Sequence, residues 1–255
     1  VPSFMSELEK LKQAGFDTSL VKVSPRTHIV TDAHINYDKQ FLRKKLGTTS
    51  RGIAPCYSDK MNRQGIQAKD VLPAEMIWDE HLYGYVLCEG AQGFYLDVDM
   101  GNYPYVTSST TLPYGACSLG FSPFKIRDIW GVAKIYDTRS GKDPLFPDSL
   151  FNDKDLSKLG ELGKEFGVTT GRRRHVNWLR LDLLVNAINI SGANQIVINK
   201  CDVLQQLGVF RLYSNNANEL LTFSNFDEMK NKIQNVIRFH CDVDKIYFSS
   251  SKEVI

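Results

Sequence analysis

Three short apolar runs in this chain each break off into a polar loop. Residues 83–88 stop at Glu89-Gly90-Ala91-Gln92-Gly93, residues 129–136 run into Asp137-Thr138-Arg139-Ser140-Gly141-Lys142-Asp143-Pro144, and residues 195–199 run into Lys200-Cys201-Asp202. Such runs, bounded by turn residues, predict buried strands, and ligands favour the carboxyl ends of strands in an α/β sheet. Helical spacing fills the intervals. Phe4, Leu8 and Leu11 predict an amphipathic helix ended near Gly15, followed by a short strand at Ile29-Val30-Thr31. Further helices are predicted over 154–166 and over 178–190, the latter closed by Gly192. A last helix carries Phe226, Met229, Ile233, Val236 and Ile237 on one face, with Ser224 as its N-cap, before a strand over 245–249. Residues 46–65 show neither period and predict a functional loop. Helices alternating with strands predict an α/β fold, read as one unit over 1–255 without repeat or linker.

Composition narrows the function classes. A net charge of +2 gives no global case for nucleic acid or a membrane surface, so any basic function rests on local clusters. The five cysteines are scattered and never spaced Cys-x-x-Cys, which argues against a disulfide framework or a zinc site. No apolar run reaches the roughly 18 residues of a membrane span and the N-terminus has no signal-peptide pattern, so a cytoplasmic location is expected.

Four segments carry chemistry. Ile196-Val197-Ile198-Asn199-Lys200-Cys201-Asp202 is a strand ending in an Asn-Lys-x-Asp sequence like that by which guanine-nucleotide proteins read their base. A carboxylate at Asp202 can accept from N1–H and the exocyclic amine of guanine, whereas adenine would leave the charge unpaired, and Lys200 can lay its stem over the purine. An exposed polar turn is the alternative reading. Thr169-Thr170-Gly171-Arg172-Arg173-Arg174-His175 concentrates hydroxyls and guanidinium groups and suits a small dianion, with a nucleic-acid patch or a solvated basic turn as the competing readings. The loop over 47–63 supplies Thr48, Thr49, Arg51, Lys60 and Arg63 as a phosphate cradle at a glycine turn. Over 89–111, Gln92 offers an amide for a purine edge and Thr107 a hydroxyl for a phosphate. His28, His34, His81 and His240 have no nameable partner and read as structural or surface residues.

In this order the segments GTTSRGIAPCYSDKMNRQGI, EGAQGFYLDVDMGNYPYVTSS, TTGRRR and NKCDVL resemble adenylosuccinate synthetase, over roughly residues 11–204. The resemblance implies a P-loop-NTPase-like mixed sheet flanked by helices. It implies that GTP phosphorylates the six-oxygen of IMP and that the aspartate amine displaces that phosphate. By motif position, Thr49, Arg63, Gln92 and Thr107 would bind the purine nucleotide, Gln92 as the catalytic residue, with Arg63 reaching the neighbouring subunit of a homodimer. Thr169, Thr170 and Arg172 would hold aspartate. Arg174, Lys200, Asp202 and Ser249 would bind GTP.

The sequence also departs from that family. A WGDEGKG-like glycine-rich segment, with the catalytic aspartate, a magnesium contact and the histidine that follows, is not found, so the Mg2+ ligands are expected there and the chain by itself is not expected to catalyse the reaction. Arg139-Ser140-Gly141 stands for Arg-Val-Gly, Asn177-Trp178-Leu179 for Gly-Trp-Asp, and Ser249-Ser250-Ser251-Lys252 for Ser-x-Gly-Pro. The short stretch from Gly65 to Glu89 resembles compact archaeal and phage forms, and some phage relatives of the family act on dGMP and make the 2-aminoadenylosuccinate precursor of diaminopurine DNA. A phage-type enzyme in host cytoplasm is therefore the alternative substrate reading. A non-catalytic nucleotide-binding remnant is the alternative of a different class.

Overall fold

The chain folds into two compact units, Val1–Ala91 with Thr107–Thr110 and Tyr114–Ser122, and Gln92–Val106 with Thr111–Pro113 and Pro123–Ile255. A computed structural model describes residues 1–78, 80–147, 150–167 and 171–251.

In the first unit, α1 (Pro2–Gln13) carries Pro2 in its first turn, where a missing N–H leaves nothing unpaired. Thr31 caps α2 (Asp32–Tyr37): its hydroxyl accepts from His34 N–H while the His34 ring accepts from Thr31 N–H. The helix continues through a π-helical stretch, Asp38–Leu42, into α3 (Arg43–Leu46), which ends at left-handed Gly47. The predicted loop over 46–65 holds for residues 47–52 and 62–65 and is interrupted by α4 (Ile53–Met61). Pro55 lies in the first turn of that helix, where its lack of an N–H is tolerated, so it is not the loop marker it resembles in the sequence.

Two predicted strands of this unit are not formed. Around residues 29–31 there is one isolated antiparallel bridge, His28 to Gln67. Residues 83–88 belong to no strand, and Tyr83 and Leu87 are 82% and 92% exposed. An apolar run becomes a strand only where another strand accepts its backbone groups, and among the described residues none is paired with this one.

The second unit holds seven strands among its described residues: β1 (Trp130–Lys134), β2 (Tyr136–Arg139), β3 (His175–Arg180), β4 (Gln195–Asn199), β5 (Phe210–Ser214), β6 (Glu219–Phe223) and β7 (Lys245–Phe248). β4 is central to a parallel sheet of order β1-β4-β7, as its unbroken Ile196-Val197-Ile198 requires of a strand covered on both faces. The other sheet has the order β2-β3-β5-β6, with β3 and β5 parallel and the outer pairs antiparallel. The mixed sheets flanked by α5 (Lys154–Leu162), α6 (Leu181–Ser191), α7 (Cys201–Leu207) and α8 (Phe226–His240) bear out the α/β expectation.

The single run predicted over 129–136 divides at Ile135, whose N–H donates to Asn199 O, and its two halves enter different sheets. The helix predicted over 178–190 begins only at Leu181, since Trp178 and Leu179 are wholly buried on β3. Its close at left-handed Gly192 is as expected. Asn225, rather than Ser224, caps α8, taking Glu228 N–H on its side chain. Met229, Ile233 and Ile237 of α8 are completely buried with Trp178, Leu204 and Leu212 in the core. Full burial of each such aliphatic side chain contributes about 1.5–3 kcal/mol.

Candidate functional site

The end of β4 gathers a set of polar groups. Lys200 adopts a left-handed conformation (φ 64°), which turns the chain from Asn199 directly into α7, so Asp202 stands exposed in the first turn of a helix rather than in a loop. The last strand delivers Ser249 to the same corner: Ser249 N–H donates to Ile198 O (2.8 Å), and Ser249 O accepts from Cys201 N–H (3.2 Å). Ser249 is buried and its hydroxyl donates to Ser251 O (2.7 Å). Asn199 Oδ1 is buried with no hydrogen-bond partner among the described residues, leaving an acceptor turned inward at this corner. Burial and the neighbouring Asp202 push the Cys201 thiol up to about 11, so it is an inert thiol beside the turn. Lys200 and Asp202, from one motif, and Ser249, from another far along the chain, therefore share one corner.

A charged cluster adjoins that corner. Lys134 lies in register opposite Asn199 and donates through Nζ to both carboxylate oxygens of Glu165, at 2.8 and 2.7 Å. Tyr136 Oη (2.9 Å) and Arg174 Nη1 (3.0 Å) donate to the same carboxylate. Burial by itself would raise Glu165, yet these donors outweigh it and hold the group below its ordinary value. Burial lowers Lys134, opposed by Glu165, and drives the Tyr136 phenol well above its usual range. Sequence reading found Arg174 and missed Glu165, Lys134 and Tyr136. No local pattern marked them, because Lys134 closes β1, Tyr136 opens β2 in the other sheet, and Glu165 lies 31 and 29 residues further along the chain.

Thr169 and Thr170 lie outside the described residues. The flanks of their loop close on each other: Phe166 and Arg173 form an antiparallel bridge, and Gly167 N–H donates to Arg172 O (2.8 Å). Arg172 is exposed and near Gly141, while Arg173 turns back to Ser157 O (3.0 Å). Gln92, in the same unit, is exposed and left-handed (φ 63°), an uncommon conformation for a residue with a Cβ. Just beyond it, wholly buried Asp97 ties the segment together by accepting from Asp99, Met100 and Thr111 N–H groups. Arg139 lies beneath, bonded to Tyr95 O and Tyr105 O. Missed entirely was Arg180, a buried guanidinium that bonds Asp137 on β2 (2.6 Å) and Asp143 in the loop after it (2.8 Å), pinning that loop to the strand.

In the other unit, the glycine turn before α4 is built on Asp38. This buried carboxylate accepts from Thr48 Oγ1 (2.5 Å) and Gly52 N–H (2.9 Å). Thr49 is left exposed at the apex, and Arg63 is exposed beyond α4. Thr107 is half-buried in this unit. His34 has a partner that the sequence did not reveal: its Nδ1 accepts from Thr31 N–H, which leaves Nε2 to donate to Asp59 (2.9 Å).

Three comparisons bear on what these sites belong to. The adenylosuccinate synthetase family model matches residues 1–84 and 73–238. The adenylosuccinate synthetases of Parabacteroides distasonis and Mycobacterium marinum are 34% and 35% identical, over 79% and 80% of this chain and 60% of each relative. The chain thus spans about 60% of the length of these curated relatives. Among solved structures, the fully ligated adenylosuccinate synthetase of Plasmodium falciparum superposes with a TM-score of 0.72 at 28% identity, covering 89% of this chain and 68% of that one. The cyanophage S-2L succinoaminodeoxyadenylate synthetase, bound to dGMP and dATP as an energy donor, gives 0.60 at 16% identity over 88% of this chain and 65% of its own, a likeness of fold.

Proposed function

The chain belongs to the adenylosuccinate synthetase family, and we propose that it serves a GTP-dependent ligase joining L-aspartate to the six position of IMP. The observation that carries this reading is the corner at which Lys200, Asp202 and Ser249 meet beside Arg174 and its charged cluster. A base-reading carboxylate and phosphate-directed cations at one strand end suit a guanine nucleoside triphosphate.

In this proposal the IMP six-oxygen attacks the γ-phosphorus, GDP leaves, and the aspartate amine then attacks C6 and expels phosphate as adenylosuccinate forms. Gln92 holds the purine edge at the reacting position as the catalytic residue. Thr49, Arg63 and Thr107 hold the purine nucleotide, with Arg63 serving the neighbouring site of a homodimer. Arg172, with Thr169 and Thr170, takes the aspartate carboxylates. Magnesium would neutralise phosphate charge, and no group of three or more His, Cys, Asp or Glu among the described residues composes a site for it. No described helix is long and apolar enough to cross a membrane, and we place the enzyme in the cytoplasm, or in host cytoplasm if it is viral.

The fold likeness to the cyanophage synthetase bound to dGMP supports a second reading, in which dGMP replaces IMP as acceptor and the ligation is otherwise the same. The test is phosphate release from the protein expressed from its full reading frame, with GTP, magnesium and aspartate, comparing IMP with dGMP. Release that requires aspartate and one of the two nucleotides supports ligation and names the acceptor. Nucleotide binding without release means a remnant that kept the pocket and lost the chemistry.

A further inference from the structure

Residues 163–165 touch three cations at once. Gly163 O accepts from Lys200 Nζ (3.3 Å), while the Glu165 carboxylate accepts from Lys134 Nζ and Arg174 Nη1. Between them Lys164 is left-handed (φ 52°), which reverses the chain at the close of α5. A Cβ at Gly163 would overlap the Tyr136 hydroxyl, itself bonded to Glu165, so the phenol locks both ends of the segment. Arg174 is held a second time, by its own N–H on Glu165 O (3.0 Å).

The charges in this hub do not balance. One buried carboxylate serves both Lys134 and Arg174, among the described residues Lys200 donates to a carbonyl oxygen alone, and Asp202, exposed, is the one further carboxylate whose charge reaches Tyr136, so three cations face two carboxylates. The Lys134 and Arg174 side chains keep 23% and 29% of their surface open. A purely structural ion pair would be neutral; a surplus of fixed, partly open cations at a strand end is an arrangement for an external anion.

We propose that Glu165 is a positioning residue, which with the Gly163 carbonyl fixes Arg174, Lys134 and Lys200 as a preformed cationic cradle for the polyphosphate of the donor nucleotide. The proposal rests on the ligase reading for the identity of the nucleotide, though not for the presence of a polyphosphate. It carries a counterintuitive sign. Glu165→Gln adds a positive charge to the cradle, so the field alone would tighten a polyphosphate, whereas loss of positioning weakens it.

The experiment titrates the 255-residue chain, as wild type, Glu165→Gln and Glu165→Asp, with GTP, guanosine and inorganic triphosphate by calorimetry. Expected is a weakening of GTP and triphosphate by about tenfold or more in Glu165→Gln, with guanosine unchanged and partial recovery in Glu165→Asp. Equal or tighter triphosphate binding by Glu165→Gln overturns the proposal, as does an equal loss for guanosine. Triphosphate binding that depends on Glu165, with no preference for GTP over ATP, keeps the cradle and defeats the base-reading part of the ligase assignment. A wild type that binds neither GTP nor triphosphate defeats both. If Glu165→Gln does not fold, Glu165→Asp carries the test, with a weakening of triphosphate and unchanged guanosine expected of the shortened carboxylate, and unchanged triphosphate binding overturning the proposal.

Discussion

Arg174 meets Glu165 twice, its guanidinium on the carboxylate and its backbone N–H on the Glu165 carbonyl, each at 3.0 Å. The double contact fixes where β3 begins relative to the end of α5. It also makes Glu165 an acid-sensitive strut. Burial works to raise the carboxyl, but its bonds to Lys134, Tyr136 and Arg174 leave it below the ordinary glutamate value of about 4.3. A carboxylate lowered by folding contributes stability that is present above its unfolded value and lost as pH falls through its folded one. The melting temperature should therefore hold level from about pH 7 to 5 and fall below about pH 4. Glu165→Gln should start lower, with a stability loss of about 1–3 kcal/mol for cations that lose their carboxylate but keep some contact with water, and show a shallower acid limb. Parallel acid limbs from circular-dichroism melts would contradict this role.

Gly52 lies where only glycine fits. Its φ is 73°, and a Cβ there would stand 2.8 Å from Ile35 N and 2.9 Å from His34 backbone. Gly52→Ala should cost about 1–2 kcal/mol for the left-handed backbone and more for the overlap with α2. Gly15 is the control, with φ 86° and nothing within 4 Å of a Cβ, so Gly15→Ala should cost the backbone strain alone. Urea midpoints at constant slope measure both, and equal losses would remove the steric argument.

The parts of the fold legible in the sequence were those whose burial is continuous. Ile196-Val197-Ile198 could only be a covered strand, and the face of Met229, Ile233 and Ile237 only a helix on a core. Less legible was whatever depends on a distant strand or turn. Residues 83–88 have the composition of a strand but no partner among the described residues, and the β5–β6 hairpin was overlooked although Phe210, Leu212, Leu221 and Phe223 alternate around its Asn215–Asn218 turn. Sites followed the same rule. Contiguous motifs named Lys200, Asp202 and Arg174, whereas Asp38, Glu165 and Arg180 act on groups 9 to 43 residues away and leave no local pattern.

Asp38 orders the turn that presents Thr49, because it alone receives both Thr48 Oγ1 and Gly52 N–H. Asn at this position retains one acceptor oxygen and must point an amide donor at one of those hydrogens. Asp38→Asn should destabilise the chain by about 1–3 kcal/mol and weaken IMP binding, with GTP affinity unchanged. A loss of GTP affinity equal to that of IMP would remove the specific link between Asp38 and the purine-nucleotide turn.

Arg172 is exposed on a loop whose flanks are bridged at Phe166 and Arg173, with its carbonyl, not its side chain, taking Gly167 N–H, so replacing the side chain should leave these backbone bonds in place. A forked guanidinium contact to a carboxylate is worth about 1.5–3 kcal/mol. Arg172→Leu in the active protein should accordingly raise the aspartate KM by about 10- to 100-fold, with purine-nucleotide affinity nearly unchanged. The reverse pattern in steady-state kinetics would reassign Arg172 to the nucleotide.

Asp202 offers the sharpest test of base reading, because α7 begins at Cys201 and so holds the carboxylate exposed in its first turn, beside Ser249. Guanine presents N1–H and an exocyclic amine to such a group, while xanthine presents a carbonyl where guanine has the amine. An asparagine keeps one acceptor and gains a donor suited to that carbonyl. Asp202→Asn should therefore weaken GTP by about 10- to 100-fold while XTP weakens less or improves, since each charge-assisted bond is worth about 1.5–3 kcal/mol. Calorimetric titration of both nucleotides into wild type and variant reads the ratio directly. If GTP and XTP lose affinity equally, Asp202 shapes the start of α7 and another group reads the base.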